Sequence, residues 1–505
     1  MSSNIYDLIH ARAPRLDKMA MESPDGFSLT YGELFDRAGQ AANALVALGV
    51  EPGDRVAVQI DKSPDVIALA LACFRVGAAL LPLNTAYTLA ELDYFLADAR
   101  PALVVCRPEA LAEIRALAQT LGLAAVESLG VGRDGTIAEK IAAAAPDFAT
   151  IARASDDLAA ILYTSGTTGR SKGAMLTHEN LSSSALALVD IWRFTGDDVL
   201  IHGLPVFHMH GLFVATNVAL LAGATMIFQP RFDADAIAAA LPRATTLMGV
   251  PTFYTRLLAH EGVTRESTAH MRLFVSGSAP LLADTHEAWR AKTGHAILER
   301  YGMTETNMIT SNPYEGDRIA GTVGFPLPGV SLRIAEPGPG RRLPDGEIGI
   351  IEVKGPNVFK GYWLMPEKTA EEFRADGFFI TGDLGKIDER GYVHIVGRAK
   401  DLIISGGFNV YPKEIEAEID ALPGILESAV IGLPHPDFGE GVTAVVVPAK
   451  GAALTEEAVL QALEGRLAKY KLPKRVFFVE DLPRNAMGKV QKKALREARQ
   501  GLYGG

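Results

Sequence analysis

The chain has little cysteine, no excess of positive charge and no long uninterrupted hydrophobic run. Its 505 residues include two cysteines, Cys73 and Cys106, whose apolar surroundings predict buried reduced thiols rather than a disulfide framework. The formal net charge is −11, from 49 basic and 60 acidic residues, which argues against a protein that binds nucleic acid or an anionic membrane surface. An anionic small ligand would therefore need positive charge that is concentrated locally.

Membrane targeting is not predicted either. Residues 1–20 carry several charged side chains and no continuous apolar core, so they do not read as a secretory signal. The longest apolar stretch, residues 213–228, is interrupted by Thr216, Asn217 and Gly223 and is too short to span a bilayer comfortably. It predicts buried core instead, and we expect a cytoplasmic protein. The content of 48% hydrophobic and 22% charged residues is that of an ordinary globular protein of at least two domains.

Helical and strand-like patterns alternate through the first part of the chain. Thr30 and Glu33 form a capping box before a helical repeat, and a proline after Ser63 opens a second helix. Strand-like runs at residues 55–60 and 103–106 follow these helices. This rhythm predicts an α/β fold with layered, largely parallel sheets.

A β-rich part and a smaller domain are predicted after this α/β core. Residues 336–346 are dense in proline and glycine and lie beside a strand-like run. We place a boundary after residue 398, which gives an N-terminal domain over 1–398 and a small α+β C-terminal domain over 399–505. In the second domain a helix capped by Thr455 is predicted to carry one apolar stripe, made of Val459, Leu460, Leu463 and Leu467.

Residues 163–172 read Tyr-Thr-Ser-Gly-Thr-Thr-Gly-Arg-Ser-Lys and form the most informative stretch. Glycines let the backbone turn tightly and point several N–H groups at one spot, while hydroxyls add donors and Lys172 adds a compact positive charge. The Gly-Lys-Ser/Thr ending of a Walker A loop is missing. The stretch predicts a different polyphosphate loop, whose candidate binding residues are Thr164, Ser165, Gly166, Thr167, Thr168, Gly169 and Lys172.

Four further segments combine residue types that suit nucleotide chemistry. Residues 299–305 join an aromatic ring that could stack on a purine to a hydroxyl and a carboxylate that could hold phosphate and Mg²⁺. Asp383 lies between two glycines and could grip ribose hydroxyls. Residues 397–407 join a basic residue to a glycine pair, and Lys489 follows a glycine in a loop-like context. Taken singly, these segments also fit an ordinary turn, an interdomain linker or a solvated surface lysine.

Together the segments occur in the order and approximate spacing of the acyl-adenylate-forming superfamily, and the whole chain resembles an acyl-CoA synthetase of that group. The resemblance implies a small carboxylic acid, ATP and coenzyme A as substrates, with Mg²⁺ as the metal. It implies that residues 164–172 embrace the β- and γ-phosphates. The other nucleotide contacts that it implies are Ser278, Ala279, Glu299 and Tyr301 at adenine, Thr304 at the α-phosphate, Glu305 at Mg²⁺, and Asp383 at the ribose with Arg398 nearby.

The resemblance also implies catalysis by a moving domain. Lys489 would bridge the carboxylate nucleophile and the α-phosphate, and Lys400 would be the pivot that later withdraws it. Ser405, Gly406 and Gly407 would then face the pantetheine arm. Because acetylation would remove the charge of Lys489, we also expect control by a lysine acetyltransferase and a deacetylase.

The segment over residues 207–211, Phe-His-Met-His-Gly, resembles the one beside the acyl pocket in similar enzymes. We assign a pocket role there to His208; the alternative is a pair of satisfied core histidines.

Two arginines distinguish the predicted acyl pocket from the apolar one that acetate or a fatty acid needs. Arg256 and Arg300, with Ser276, lie in segments expected to line it. An arginine is costly to bury without an anion, and a second carboxylate on the substrate would satisfy it through bidentate hydrogen bonds. The arrangement looks like that of malonyl-CoA synthetases.

We therefore expect ATP-dependent ligation of malonate, and some ligation of methylmalonate, to coenzyme A with release of AMP and pyrophosphate. In the alternative, Arg256 is a solvated helix residue, Arg300 pairs with a carboxylate of the protein, and the substrate is a short or aromatic monocarboxylic acid. A non-catalytic nucleotide sensor is a further alternative, which the presence of Glu305, Asp383 and Lys489 disfavours.

Overall fold

The computed structural model describes residues 3–24, 26–164, 171–485 and 488–503. The strands, in chain order, are β1 (Met19–Glu22), β2 (Ser28–Thr30), β3 (Arg55–Gln59), β4 (Ala79–Pro82), β5 (Leu103–Cys106), β6 (Ala125–Ser128), β7 (Leu158–Thr164), β8 (Lys172–Thr177), β9 (Val199–His202), β10 (Thr225–Phe228), β11 (Thr246–Gly249), β12 (Leu273–Ser276), β13 (Leu298–Met303), β14 (Asn307–Ser311), β15 (Phe325–Pro326), β16 (Ser331–Ala335), β17 (Gly349–Lys354), β18 (Gly361–Tyr362), β19 (Phe379–Ile387), β20 (Val393–Arg398), β21 (Ile403–Ser405), β22 (Phe408–Val410), β23 (Ile425–His435), β24 (Gly439–Pro448) and β25 (Arg475–Phe478).

The α-helices, in chain order, are α1 (Ile5–Ala11), α2 (Tyr31–Ala47), α3 (Pro64–Val76), α4 (Leu89–Ala99), α5 (Leu111–Leu121), α6 (Thr136–Ala143), α7 (His178–Ile191), α8 (Thr216–Ala222), α9 (Ala234–Ala240), α10 (Pro251–Leu258), α11 (Ala283–Thr293), α12 (Pro366–Glu371), α13 (Pro412–Asp420), α14 (Glu456–Leu463) and α15 (Lys492–Glu497). Among the described residues, none of these helices combines the length and the hydropathy needed to cross a bilayer.

The chain forms two compact units. The first comprises Met1–Ala320, Gly324–Ser331 and Lys354–Phe379, and the second comprises Gly321–Val323, Leu332–Val353 and Ile380–Gly505. Because compactness does not reveal which segment moves, the boundary after residue 398 stays a prediction.

Two large sheets build the first unit. One has the order β15-β14-β13-β12-β11-β9-β10-β1-β2, and the other has the order β18-β8-β7-β4-β3-β5-β6. Pairing is parallel through their centres, and antiparallel strands lie at the edges. The predicted α/β layers are thereby confirmed. Since parallel strands end at one edge of a sheet, the residues that follow β9, β11 and β12 lie near one another.

Local sequence explains where the helices between these sheets begin and end. The Thr30 hydroxyl accepts from the backbone of Glu33, whose side chain accepts from the backbone of Thr30, so the predicted capping box starts α2. Pro64 occupies the first turn of α3, and Gly77 ends that helix at φ +78°. Every residue of α3 is buried, as expected for a helix that is apolar on all sides.

The second unit holds a four-stranded sheet, in which β19 and β20 are antiparallel, and a smaller α+β body. The four strands have the order β16-β17-β19-β20, and the second sheet has the order β22-β21-β24-β23 with β25 on β24. Apolar residues of α13 and α14 pack on one face of this second sheet, and Leu495 of α15 packs on the other. The predicted β-rich part and α+β body are confirmed.

The predicted stripe on α14 was wrong at its last residue. Thr455 caps the helix as expected, but the helix ends at Leu463. The backbone leaves the helical path at Glu464, which is extended (φ −63°, ψ 131°), and Gly465 follows at φ +81°. Leu467 packs against the same core from the segment beyond.

Candidate active site

The predicted phosphate loop connects two antiparallel strands of the first unit. Thr164, the last residue of β7, pairs with Lys172, the first residue of β8, and its hydroxyl donates to the Lys172 carbonyl at 3.4 Å. The candidates Ser165, Gly166, Thr167, Thr168 and Gly169 lie outside the described residues.

Lys172 belongs to a charged network that reaches the predicted metal ligand. Its Nζ lies 3.0 Å from Oε1 of Glu372 and 4.0 Å from the ring centroid of Tyr362. The Tyr362 hydroxyl lies 2.9 Å from Oε2 of Glu372 and 3.1 Å from Oε1 of Glu305. Burial and then these two carboxylates raise the pKa of Tyr362, which keeps it a donor. Burial opposes ionisation of Glu372, but the hydrogen bond from Lys172 holds its pKa below the usual value.

Glu305 suits a magnesium ion that is shared with phosphates. It is buried on the short turn Thr304–Thr306 that follows β13, and the half-buried Thr304 precedes it. The described residues contain no cluster of three or more histidine, cysteine or acidic side chains that could hold a metal. Mg²⁺ commonly takes one or two carboxylates and completes its shell with water and substrate phosphates. A single buried carboxylate beside a phosphate loop fits that mode.

Arg300 is a buried cation with unsatisfied donors. It lies in β13 with 4% of its surface exposed, and its Nε and Nη2 have no hydrogen-bond partner among the described residues. Its guanidinium packs against Gly277, where a Cβ atom would lie 2.4 Å from Cζ. Burial lowers the pKa of Arg300 to about 9, and the nearby Tyr254 opposes that shift. Such a group is costly to bury unless an anion completes it.

Other unsatisfied polar atoms occur close to Arg300. Ser276 ends β12, and its buried hydroxyl has no hydrogen-bond partner among the described residues. Ser278 adopts φ +70°, and its Oγ lies 3.2 Å from Nδ1 of His210. Burial, followed by the charge of Arg300, lowers the pKa of His210 well below its usual range. These groups are suited to bind a polar ligand with neutral donors and acceptors beside one cation.

His208 and Arg256 differ in how the structure places them. Burial lowers the pKa of His208 to about 4, its ring lies 4.7 Å from that of Phe207, and its Nε2 has no hydrogen-bond partner among the described residues. Arg256 is exposed on the last turn of α10, with its guanidinium 5.5 Å from the Phe232 ring centroid. The assigned acid-pocket role of Arg256 stays a prediction.

The predicted adenine residues lie along the same strands. Tyr301 is buried in β13 opposite Thr310, and Ala279 is half-buried after β12. Glu299 is also buried, with Oε1 3.5 Å from Nδ1 of His286. Their roles at adenine stay predictions.

In the second unit, the predicted ribose residue forms an ion pair with the neighbouring strand. Asp383 of β19 lies opposite Arg398 of β20, and its Oδ1 is 2.6 Å from Arg398 Nε. The Thr381 hydroxyl accepts from the Asp383 backbone and donates to the Ile351 carbonyl, which fixes the local turn. The pair brings together two residues that are fifteen positions apart in sequence.

The predicted catalytic lysine and hinge lysine lie beside this pair. Although Lys489 as a residue is exposed, desolvation of its ammonium group and then the charge of Arg398 lower its pKa to about 8, while Asp383 opposes the shift. Burial likewise lowers the pKa of Lys400, and Asp401 opposes that shift. The Lys489 backbone donates to Oδ1 of Asn485 at 3.0 Å, which anchors the end of the loop that carries it.

The glycine pair of the second unit makes a tight hairpin. Ser405 ends β21, and Gly406 and Gly407 turn at φ +59° and +79° into β22, a conformation that favours glycine. Several lysines and arginines between residues 471 and 496 have acidic partners. Among the ion pairs are Lys471–Glu414, Arg475–Glu456, Lys492–Glu416, Lys493–Glu497 and Arg496–Asp401.

Sequence reasoning missed Glu372 and Tyr362. Each lies about 200 residues from Lys172 in the chain, so no local spacing links them to the phosphate loop. The only local signal was a tyrosine and a glutamate that flank the short helix α12.

Two family models match the chain. The AMP-binding enzyme model matches residues 9–363, and the AMP-binding enzyme C-terminal domain model matches residues 414–489. The chain therefore belongs to the AMP-binding enzyme family, which confirms the predicted superfamily.

Three individual relatives show which members of the family the chain resembles. The crystal structure of ATP-bound MatB from Rhodopseudomonas palustris is 63% identical over 100% of both chains, with a TM-score of 0.98. A feruloyl-CoA synthase from Amycolatopsis sp. is 39% identical, with 93% of this chain and 94% of the relative covered. A malonate–CoA ligase from Arabidopsis thaliana is 34% identical, with 95% of this chain and 86% of the relative covered.

Proposed function

We propose that this protein is an AMP-forming acid–CoA ligase that joins malonate to coenzyme A through an enzyme-bound acyl-adenylate. The observation that carries the choice of acid is Arg300, a buried guanidinium with two nitrogens that lack a partner among the described residues. A dicarboxylate offers one carboxylate for activation and a second for this guanidinium. The likeness to malonate–CoA ligases and to MatB supports the same assignment.

In the first half-reaction, a malonate carboxylate oxygen attacks the α-phosphorus of ATP, and the bond to the β-phosphate breaks to release pyrophosphate. Two anions must approach each other, so fixed cations are needed where charge accumulates. Lys172 would bind the β- and γ-phosphates after it exchanges Glu372 for them, and Lys489 would bridge the attacking carboxylate and the α-phosphate. Glu305 would hold Mg²⁺, which when bound neutralises phosphate charge.

In the second half-reaction, the thiol of coenzyme A loses its proton, its sulfur attacks the acyl carbonyl, and AMP departs with the bonding electron pair. Lys489 has no role in this step and would leave by rotation about Lys400. The hairpin of Ser405, Gly406 and Gly407 would then bring backbone close to the pantetheine arm, since glycine allows such an approach. His208 would control access to the acyl carbonyl.

One further acid class has support. The feruloyl-CoA synthase likeness favours an aromatic monocarboxylic acid as the second candidate. A panel of malonate, methylmalonate, acetate and benzoate, assayed for AMP and for thioester, separates the two. Malonate should be the best substrate, with methylmalonate below it because one methyl group changes binding by only about 1–3 kcal/mol. Benzoate or acetate above malonate would reject the dicarboxylate assignment, and no AMP with any acid would reject the ligase.

We also propose cytoplasmic localisation and control by acetylation. Cys73 and Cys106 are free and buried, which suits a reducing compartment.

Acetylation of the exposed Lys489 by a lysine acetyltransferase would remove the charge needed in the first half-reaction, and a deacetylase would restore it. Mass spectrometry of protein from cells that lack deacetylase activity tests this, and an unmodified Lys489 would reject it.

A further inference from the structure

Lys62 makes contacts that the proposed reaction does not use. It lies just after β3, and its Nζ is 2.6 Å from the backbone oxygen and 2.9 Å from Nδ1 of His202. The same ammonium lies 4.3 Å from the ring centroid of Phe228. His202 ends β9 and is fully buried. One lysine that follows β3 thus contacts the backbone carbonyl and one ring nitrogen of a core histidine 140 residues away.

The partners of His202 define its tautomer. Its Nε2 lies 2.9 Å from the Gly211 carbonyl oxygen, which can only accept, so Nε2 must carry the proton. Burial, and then the charge of Lys62, lower the pKa of His202 well below its usual range, so the ring is neutral. Nδ1 is therefore an acceptor, and Lys62 is its donor. The Thr216 hydroxyl also donates to the Gly211 carbonyl at 2.9 Å.

Gly211 closes a tight turn beside the acid pocket. A Cβ atom at Gly211 would lie 2.1 Å from the Pro205 carbonyl oxygen, so the segment over residues 205–211 folds closely on itself. The preceding residue, His210, contacts Ser278, and the neighbouring Gly277 packs against the Arg300 guanidinium. A displacement of Gly211 would therefore also displace His210, which contacts Ser278, and Ser278 follows the Gly277 that packs against the Arg300 guanidinium.

We propose that Lys62 and His202 are positioning residues that hold the segment 205–211 in the shape that acid recognition requires. This inference rests on the proposed function, because the pocket it concerns is the one assigned to malonate. Lys62 acts through His202 and Gly211, and it does not touch the acid. Without Lys62, the buried Nδ1 of His202 would lose its donor, and the His202 carbonyl would keep only the Gln229 backbone N–H, which donates to it at 3.1 Å.

The test compares Lys62→Met with Lys18→Met in the full-length enzyme. Lys18 is a matched control because its ammonium also binds two backbone carbonyls, those of Gly196 and Gly223, which precede β9 and β10 at the opposite ends of those strands. For Lys62→Met we expect KM for malonate to rise about tenfold, the size expected for a lost hydrogen bond to a charged group, with KM for ATP within about twofold of wild type. Lys18→Met should leave both KM values within about twofold of wild type.

Two results would overturn the proposal. One is an unchanged KM for malonate in folded Lys62→Met. The other is a proportional loss of all kinetic parameters, equal in Lys62→Met and Lys18→Met, which would indicate a purely structural role. If Lys62→Met does not fold, Lys62→Gln, which keeps a donor for the His202 carbonyl, takes its place with the same expected split.

The tautomer provides a readout that is taken on the wild-type enzyme and needs no catalysis. In wild-type enzyme labelled with ¹⁵N-histidine, long-range ¹H–¹⁵N correlation should show His202 as the neutral form protonated at Nε2, assigned by the loss of its signals in His202→Gln. A proton at Nδ1 would overturn the inference even if malonate is the substrate. Failure of wild-type enzyme to release AMP with malonate would reject the proposed function and the acid-recognition role, while the tautomer result would stand.

Discussion

Arg300 in the first compact unit is buried, Arg398 in the second is half-buried, and the two charges are compensated differently. Arg398 lies 2.6 Å from the Asp383 carboxylate. Within the part of the chain that the structure describes, Nε and Nη2 of Arg300 have no hydrogen-bond partner. The first unit therefore keeps a cation ready for an external anion, whereas the second unit has already neutralised its own.

The difference shows two ways in which the charge of an arginine is compensated in this fold. An unpaired guanidinium in the interior lowers stability, so a fold gains from it only when a ligand supplies the missing anion. Arg398 is already paired with Asp383 and is less available to an external anion. Desolvation and then the charge of Arg398 lower the pKa of Lys489 to about 8. In the proposed reaction, selection of the acid would depend on Arg300 of the first unit, whereas activation would need Lys489 of the second unit together with Lys172 and Glu305 of the first.

The largest expected effect concerns Lys489, the residue proposed to activate the acid. Lys489→Ala removes the cation assigned to the α-phosphate, and we expect malonate-dependent pyrophosphate exchange to fall on the order of 10²–10³-fold, as for other preorganised transition-state donors. Lys493→Ala is the control, because that exposed lysine pairs only loosely with Glu497 at 3.7 Å. Exchange within a few-fold of wild type in Lys489→Ala would remove this lysine from the chemistry.

Arg300→Met tests the residue proposed to select the acid. We expect kcat/KM for malonate to fall on the order of 10²-fold, since a carboxylate would lose its buried partner, while any acetate activity is retained or rises. Arg256→Met sharpens the comparison between the two candidate arginines. A loss of about tenfold there would add Arg256 to the acid site, and a loss below about twofold would leave Arg300 alone. Equal losses for malonate and acetate in Arg300→Met would contradict acid selection.

A third prediction concerns pH and links the paired cations to Lys489. Its charged form is the active one and its pKa is about 8, so kcat/KM for the first half-reaction should be constant below that value. Above it, kcat/KM should fall about tenfold per pH unit. Arg398→Met removes a cation and frees the Asp383 carboxylate, and both changes raise the pKa of Lys489. The alkaline limb of a pyrophosphate-exchange profile should therefore move to higher pH, and an unmoved limb would contradict this coupling.

Local sequence was a good guide to elements and a poor one to the electrostatic network. The capping box at Thr30, the proline start of α3 and the strand-like run at residues 103–106 follow from neighbouring residues, and the structure has all three. Arg300 was a candidate from residue type alone, but its lack of a partner depends on what every other strand places around it. The contacts of Lys62 with His202 and of Lys172 with Glu372 join residues 140 and 200 positions apart, and no spacing rule reaches that far. The end of α14 was missed because the apolar spacing continues to Leu467, whereas the backbone already turns to an extended conformation at Glu464.

The smallest expected effect concerns Lys172 of the first unit. This cation is paired with Glu372, and the test asks whether the pair must break before Lys172 can bind phosphate. Glu372 binds Lys172 at 3.0 Å and would compete with phosphate for the same ammonium. Glu372→Gln keeps the shape and the contact with Tyr362 but removes the competing charge, so the Kd for MgATP should fall about three- to tenfold, as expected for a partly exposed ion pair. Glu371→Gln is the matched control, because the neighbouring Glu371 is exposed and pairs with Lys368. Calorimetric titration of both variants measures the change, and weaker MgATP binding in Glu372→Gln would show that this carboxylate supports Lys172 at the nucleotide rather than competing for it.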